Sequence, residues 1–596
     1  MKESFWRKLV SMTEKNDYND LETKIYQGKP LVSRMSRFHK EEMEQPAQPA
    51  PPPQTASPSK KQATTQEKMV QSTVWLTIGN IFSRLLGAVY VIPWYMWMQP
   101  HGDAANVLYG KGYNVYALFL MISTAGIPAA VAKQTARYNS MNEFKTSKRL
   151  LFYTLRIMLI GGIIFAGVMF FGAPLLSQGN PDLIPVMRSL SVVLLIFPMM
   201  SVIRGFFQGN SDMKPYALSQ IIEQIARVFY MLASAYLIMQ INHGSYKTAV
   251  VHSTFAAFIG VVAAMAVLLF SLFKQRTTYR EMERESKDEI NFSGRELVTQ
   301  MVMQAVPFII VGSGISIFKL IDQYSFEKIM QWVTSNTAER NAELFAYISP
   351  NPDKLTMVVI ALGTAMATAG LPLITERYTK KDFTGLASLA SNNFQLFFFA
   401  MMPATVGMMV LSYPLNTLFY QPNTLGSQLL AASCFVGIIM GLFMVCSTML
   451  QGLDGNKQAV SFLLIGIAVK VIAQLPLTFL FKPYGPLLAT FIGLLVANLF
   501  ILDRIHSITG FPMRATVQSI LKMAGMAIIM GIVATIVKWG CQIFLSPASK
   551  TQSLLIILIV AAAGGFTYMV LALKTRVADK LLGARVEGIR RRLRMR

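Results

Sequence analysis

Thr124-Ala-Gly-Ile-Pro128 recurs as Thr368-Ala-Gly-Leu-Pro372, 244 residues further along the chain, and Lys133 then falls on Arg377. Two more pairs keep the same order. Phe207-Gln208-Gly209 with Lys214 returns as Leu450-Gln451-Gly452 with Lys457, a shift of 243 that also sets Arg227 on Lys470. At the start of each half, Gly79 and Arg84-Leu85-Leu86 return as Gly314 and Lys319-Leu320-Ile321, a shift of 235. One such match means little, because apolar helices resemble each other by chance. Three in one order, with basic residues landing on basic residues, mark a duplication.

The duplicated material is apolar. Of 596 residues 53% are hydrophobic and 14% charged, against roughly a quarter charged in a soluble protein, which excludes a soluble enzyme. Stretches of about 20 apolar residues, enough to cross roughly 30 Å of hydrocarbon, recur from Met69 onward. They predict fourteen spans near 70–98, 113–135, 149–173, 184–207, 215–240, 249–273, 297–323, 354–375, 389–413, 426–451, 459–481, 485–507, 518–544 and 552–574. The second and eighth carry the Gly-Ile-Pro and Gly-Leu-Pro breaks.

The repeat shift covers six spans. An even number returns the chain to the same side, so the halves are parallel repeats about an axis along the membrane normal, and rocking of such lobes is an alternating-access design. The expected fold is an all-α integral membrane protein of two six-helix lobes plus two added helices. Its parts are a disordered tail (1–68), a first lobe (69–273), a connecting loop (274–296), a second lobe (297–510), two further helices (511–574) and a C-terminal piece (575–596).

Lys+Arg number 55 and Asp+Glu 31, a net charge of +24. With the N-terminus inside, the tail holds about 12 of the cations and the inner loops with the C-terminus about 28. The outer side holds about 8 and the spans about 7. This bias predicts cytoplasmic termini and argues against a nucleic-acid face. The tail lacks an apolar core and includes the Pro-, Gln- and Ala-rich stretch Pro46–Pro58. After Thr575, Val577, Leu581, Val586, Ile589 and Leu593 alternate with arginines, which predicts a basic amphipathic helix on an anionic leaflet.

Cys434, Cys446 and Cys541 all lie in apolar runs, and the five histidines are scattered, so neither a disulfide framework nor a metal site is expected. No GxxxxGK[ST] loop is present, nor a Ser-His-Asp set or HExxH, so no cofactor and no catalytic residue is assigned. A membrane enzyme would place acid–base groups in its large outer loops; the longest, 324–353, offers Glu327, Glu339 and Glu343 and no histidine.

The spans themselves carry ionisable residues, each costing about 2.5–3.5 kcal/mol on insertion scales. Arg84, Arg156, Arg227, Lys319 and Lys470 stand against Glu223 and Asp322. Glu223 and Arg227 are spaced for a local ion pair at i,i+4, and Lys319 and Asp322 at i,i+3. Arg156, near Arg149, is placed to snorkel. Arg84 and Lys470 have no acid within a turn. Five cations against two acids fit an anionic cargo, phosphate in particular, better than a drug cation.

Phe82-Ser83-Arg84-Leu85-Leu86-Gly87 resembles the opening signature of lipid II flippases of the MurJ type, in the multidrug/oligosaccharidyl-lipid/polysaccharide exporter superfamily. Arg204-Gly-Phe-Phe-Gln-Gly209, Met213-Lys-Pro215, Ser219-Gln220 and Glu223-Gln224 through Arg227-Val228 are similar to the Gram-positive polysaccharide-transporter branch, which includes stage V sporulation protein B relatives. Val306-Pro-Phe-Ile-Ile-Val-Gly312 leading to Lys319-Leu-Ile-Asp322-Gln323 is similar to the same branch. The resemblance covers about residues 69–574.

It implies a secondary transporter with two V-shaped lobes and a lipid groove formed by the added helices. The cargo implied is an undecaprenyl-pyrophosphate-linked sugar, foremost lipid II, moved to the outer leaflet for peptidoglycan synthesis. Another undecaprenyl-linked glycan, cation-coupled drug export and a scaffold for cell-wall synthesis machinery are the alternatives. Arg84 matches the arginine that meets the pyrophosphate, with Ser83 beside it. The second arginine of the family pattern, six residues later, is replaced by Tyr90. Lys319, Arg227 and Lys133 are then the further phosphate contacts, with Asp322, Glu223 and Lys470 completing the expected site. The driving force is an ion gradient or the membrane potential.

Overall fold

The computed structural model describes residues 83–582 apart from 84, 85, 88, 125, 288–293 and 369. The expected tail at 1–68, Arg84 and the arginine-rich end beyond Leu582 lie outside the described residues.

The first span ends in α1 (Val91–Trp97). The second is a broken pair, α2 (Gly102–Thr124) and α3 (Ile127–Ser140), and the third is α4 (Phe144–Leu176). The fourth is α5 (Leu183–Ser191) continuing into α6 (Val193–Gly209); the fifth and sixth are α7 (Met213–Tyr236) and α8 (Tyr246–Lys274). A short amphipathic helix, α9 (Arg276–Arg284), lies in the stretch expected to be a loop. The second half begins with α10 (Gly294–Val333) and α11 (Ala338–Ile348). It continues through α12 (Pro350–Thr368), α13 (Leu371–Thr379), α14 (Phe383–Val410), α15 (Ser412–Phe419), α16 (Thr424–Gly452), α17 (Asn456–Phe481) and α18 (Gly485–Thr509). The chain then adds α19 (Met513–Phe544), α20 (Lys550–Lys574) and α21 (Val577–Leu582).

Eleven helical segments among the described residues are long and apolar enough to cross a bilayer, and one of these, Asn456–Thr509, is two spans joined by a turn at Lys482–Tyr484. With α12–α13 and the end of the first span, these correspond to the fourteen expected spans. The protein is an all-α multi-pass membrane protein.

The duplication is visible in backbone detail. Both Gly-x-Pro motifs break a helix and restart it, with Pro128 and Pro372 each in the first two positions of the new helix, where a missing N–H costs nothing. Gly126 takes φ 78°, a left-handed value for which glycine is suited. Ser211 and Asp454, 243 residues apart, both adopt φ 59° in the turn leaving the fourth helix of their lobe. Capping is local. Asp382 accepts the Gly385 backbone N–H at 3.0 Å, which holds its carboxyl below the ordinary range, and Asn423 accepts that of Gly426 at 2.8 Å.

Two corrections concern loops. The expected outer loop 324–353 is largely helical, because α10 runs on to Val333 and Thr337 caps α11 through the Arg340 N–H. Charged helices beyond the hydrocarbon carry no hydropathy signal. The eighth span also starts earlier, at Pro350 rather than 354.

Two large apolar cores are centred one on each lobe, the first also taking in Leu320, Leu355, Tyr420 and Leu430 of the second lobe. Trp94, Tyr116, Met187, Phe207 and Val261 belong to the first; Phe318, Phe397, Phe443, Leu463 and Ile501 belong to the second. The outward faces are apolar as well: Phe171, Phe229, Ile472 and Phe544 are at least 75% exposed, as expected where the solvent is lipid. α19 packs on α14 through Met523, Met526 and Phe398, and α20 joins it through Ile556 and Val560 near Leu411.

Lobe packing depends on close backbone approach. A Cβ on Gly260 of α8 would lie 2.7 Å from the Glu223 carbonyl oxygen and 3.1 Å from the Arg227 Cβ of α7; its counterpart Gly493 lies against Gly466 and Lys470 in the same way. Gly260→Ala is therefore expected to destabilise the protein by about 1–3 kcal/mol. Gly167→Ala, where nothing lies within 4 Å, should be neutral or slightly stabilising. Thermal unfolding in one detergent compares them; equal melting temperatures would refute the close-approach argument.

Candidate functional site

A cavity of about 480 Å³ lies between the lobes. The first lobe contributes Ser83, Gly87, Tyr90, Tyr109, Tyr113 and Arg227. The second contributes Lys319, Asp353, Lys354 and Thr364. Among the described lining residues, three cations face one acid.

Each charge is held by a particular helix. Arg227 projects from α7 with its guanidinium 3.6 Å from Glu223, one turn earlier. Glu223 also receives Arg204 of α6 at 2.9 Å, and Arg204 Nε donates to Ser219 at 2.9 Å. One carboxylate thus serves two arginines. The Arg227 Nε, though buried, has no hydrogen-bond partner among the described residues, and an unmet charged donor is expensive. Tyr109 and Tyr113 stack with centroids 5.8 Å apart on the same side of the cavity.

On the opposite wall, Lys319 pairs with Asp353 at 2.9 Å rather than with Asp322. Asp353 occupies the first turn of α12, where the helix dipole favours an acid. Lys354, the next residue, donates to Asn106 Oδ1 of the first lobe and stands over the rings of Trp94 and Tyr109 at 5.4 and 5.3 Å.

Asp322 turns the other way, into the second lobe. It accepts Lys470 Nζ at 2.7 Å and Gln474 at 3.0 Å, and Lys470 also donates to Thr490. Lys470 is 0% exposed. The lysine that lacks a neighbouring acid in its own helix is thus paired across helices, and the i,i+3 pairing expected for Lys319 gives way to two inter-helix pairs. Lys470 is a structural cation behind the wall, not a lining residue.

Ser83 lines the cavity, whereas Lys133 is exposed on α3 and is not among its lining residues. Arg84 lies outside the described residues. Arg156 is exposed on α4. The sequence reading missed Lys354, Asp353, Arg204 and Asn106. Pro350-Asn-Pro352-Asp353 carries the signal that would have found two of them, since proline followed by an acid in the first turn marks a helix start.

The polar contacts traced between described residues of the two lobes gather at one end of the cavity. Lys111 pairs with Glu327 at 2.7 Å, Asn114 donates to Gln323 at 3.1 Å, and Gln421 donates to Gln99 at 2.6 Å. Asn351 receives the Asn106 side-chain amide and donates to Asp103 at 3.3 Å. These contacts form a polar latch. At the other end, among the described residues, Ala305 packs among Ile127 and Val131.

A second hollow, about 730 Å³ and almost wholly apolar, runs along α14, α16 and α19. Met402, Val406, Phe435, Ile438, Ile532 and Trp539 line it. α16 contributes Met444 to the charged cavity and Phe435 to this groove.

The buried pair in the second lobe is open to test. Lys470→Met leaves Asp322 with an uncompensated charge and should cost about 3–5 kcal/mol, whereas Lys470→Met combined with Asp322→Leu should recover most of it. Thermal unfolding of the three proteins measures this, and a single variant as stable as the parent would remove the structural assignment.

Comparison with known proteins places this arrangement. Residues 69–376 match the family model described as polysaccharide biosynthesis protein. The lipid II flippase MurJ of Bacillus subtilis (strain 168) is 32% identical over 541 residues, covering 88% of this chain and 98% of that protein. Stage V sporulation protein B of the same organism is 23% identical over 248 residues, 41% of this chain and 46% of that one. Among solved structures, a lipid II flippase MurJ in an inward closed conformation aligns with a TM-score of 0.59 at 14% identity, over 85% of this chain and all of that one. An inward-facing multidrug transporter of the MATE family aligns at 0.57 and 17% identity, over 74% and 99%. The chain belongs to the polysaccharide biosynthesis protein family, and it shares its fold with the MurJ-type flippases and the MATE transporters.

Proposed function

We propose that the protein carries an undecaprenyl-pyrophosphate-linked sugar, foremost lipid II, from the inner to the outer leaflet of a bacterial plasma membrane by alternating access. The observation that carries this reading is the charge of the central cavity. Among the described residues Arg227, Lys319 and Lys354 line it against Asp353, and a guanidinium N–H without a partner there is buried. A diphosphate supplies what that arrangement lacks: diffuse negative charge and several acceptor oxygens. The 32% identity to a lipid II flippase over nearly its whole length supports the same cargo.

The division of labour follows. Arg84, by its place in the Phe-Ser-Arg-x-Leu-Gly pattern, and Arg227 meet the diphosphate. Tyr109 and Tyr113 present ring faces and hydroxyls to the sugar, and the polyprenyl tail stays in the apolar groove. Glu223 and Asp353 keep the cations from repelling one another while the site is empty. Both termini are cytoplasmic in this reading, which sets the polar latch at the outer end, where it must break for release. An ion gradient or the membrane potential resets the empty carrier.

Expression in a strain depleted of its own lipid II flippase tests the reading directly. Growth should be restored and lipid II should become accessible to an externally added cleaving enzyme. Failure of both, with the protein abundant in the membrane, would overturn lipid II as cargo. Rescue instead of a strain lacking a teichoic acid or capsule flippase would redirect the assignment to that glycan.

Arg84→Ala should abolish rescue at normal protein level and weaken lipid II binding on the order of a hundredfold. Arg84→Lys should keep partial function, since the ammonium retains charge and loses the bidentate fork. Undiminished binding by a stable alanine variant would remove Arg84 from the site. Cysteines placed at Ser286 and Ser335, with the three native cysteines replaced, should label from the inside and the outside respectively; equal labelling from outside would refute the orientation.

A further inference from the structure

The cations at the start of α4 are not explained by the transport cavity. Lys148, Arg149 and Arg156 lie three, four and eleven residues after Lys145, with Phe152 and Tyr153 between them, so they share one face of the helix. They line a shallow cleft of about 430 Å³ whose one acidic lining residue is Glu283 of α9.

Three features of this cleft point to a ligand. First, Lys145, Lys148 and Arg149 crowd the first two turns of α4, where the helix dipole is already positive, and the acid at that end is the buried N-cap residue Glu143. Second, Arg156 stands twelve residues into α4, on an exposed face, and no acid pairs with it among the described residues. Third, that face continues as Leu159, Ile160, Ile163 and Ile164, each 42–58% exposed, and Phe152 is 53% exposed. A cationic head region thus opens onto an apolar track along one helix. Lys148 reaches Glu283 at 2.5 Å, so the cleft also touches α9, which leads from the first lobe toward the second. Arg276 and Arg280 of α9 line the adjoining hollow of about 310 Å³ with Lys148 and Phe152.

We propose that this cleft is a binding site for an anionic phospholipid of the bilayer, distinct from the transport cavity. The headgroup phosphate is held by Lys148, Arg149 and Arg156, and the acyl chains lie along Phe152 and Leu159 to Ile164. The lipid bridges the α4 cations and fastens α9 against the first lobe. The occupant is a lipid because the apolar track has no use for a free anion. The site does not depend on which glycan the protein carries.

The test uses the purified full chain in nanodiscs containing phosphatidylcholine with or without phosphatidylglycerol, followed by native mass spectrometry and thermal unfolding. Phosphatidylglycerol should be retained and raise the melting temperature; phosphatidylcholine alone should do neither. Lys148→Gln with Arg149→Gln and Arg156→Gln should weaken retention on the order of tenfold or more. An equal loss of charge at Arg504, Lys522 and Lys574 should leave it within about twofold. Equal effects of the two triple variants would reduce the result to general surface charge and overturn the site.

Inorganic phosphate should not stabilise the protein. Stabilisation by phosphate equal to that by the lipid would identify a free-anion site instead. A photoactivatable phosphatidylglycerol on the unaltered protein provides a readout that does not depend on any variant folding. Cross-links should concentrate in the 152–164 segment, and an even spread over the lipid-facing helices would overturn the proposal.

Discussion

An ion inside a bilayer must find a counter-ion, a polar cavity or a cargo, because water is not there to solvate it. That constraint arranges the interior of this protein. Asp322 neutralises Lys470 across two helices of the second lobe, and Glu223 is shared between Arg204 and Arg227 in the first. Asp353 answers Lys319. After these pairings the partners of Lys354 among the described residues are neutral, the side-chain oxygen of Asn106 together with two aromatic faces. Part of the surplus of positive charge among the described residues thus faces the space between the lobes, where a mobile anion can enter.

The same residues join chemistry to motion. Lys354 lines the cavity and also bonds to Asn106, a member of the polar latch, so one side chain belongs both to the site and to the contact between lobes. Lobe cores packed through glycines at Gly260 and Gly493 are stiff units. The inter-lobe contact at the latch end combines apolar packing, Tyr95 on Tyr420 and Val107 among Phe326 and Phe345, with amides and ion pairs whose net worth is small enough to be exchanged for contacts with a ligand. Rigid halves joined by exchangeable polar bonds are the physical requirement for rocking without unfolding.

Much of this architecture is legible in the sequence, and the limits have physical causes. The Gly-Ile-Pro and Gly-Leu-Pro breaks, the shared shift of Arg227 and Lys470, and the apolar stretches follow from periodicity and composition. The Glu223–Arg227 pair follows from helical spacing. The partners of Lys319 and Lys470 do not, because pairing across helices depends on how each helix is rotated, which spacing within one helix cannot report. Lys354 is the first residue of the expected eighth span and so reads as an outer-edge cation, although the polar turn Pro350–Asp353 before it is itself a helix start. The helices α9 and α11 are invisible to the same window for want of apolar length. The groove beside α19 was expected only from family resemblance, since a lipid-facing hollow and a lipid-facing ridge have the same composition.

The central claim is that the cavity selects a diphosphate through its unneutralised cations. Binding of undecaprenyl pyrophosphate and of undecaprenol to the purified protein, measured side by side at two salt concentrations, tests it most directly. The account predicts that the pyrophosphate lipid binds at least tenfold more tightly. It also predicts that neutralising Arg84, Arg227 and Lys354 together erases that preference while leaving affinity for the alcohol unchanged. Equal affinity for the two lipids, or a preference that survives the loss of all three cations, would contradict it.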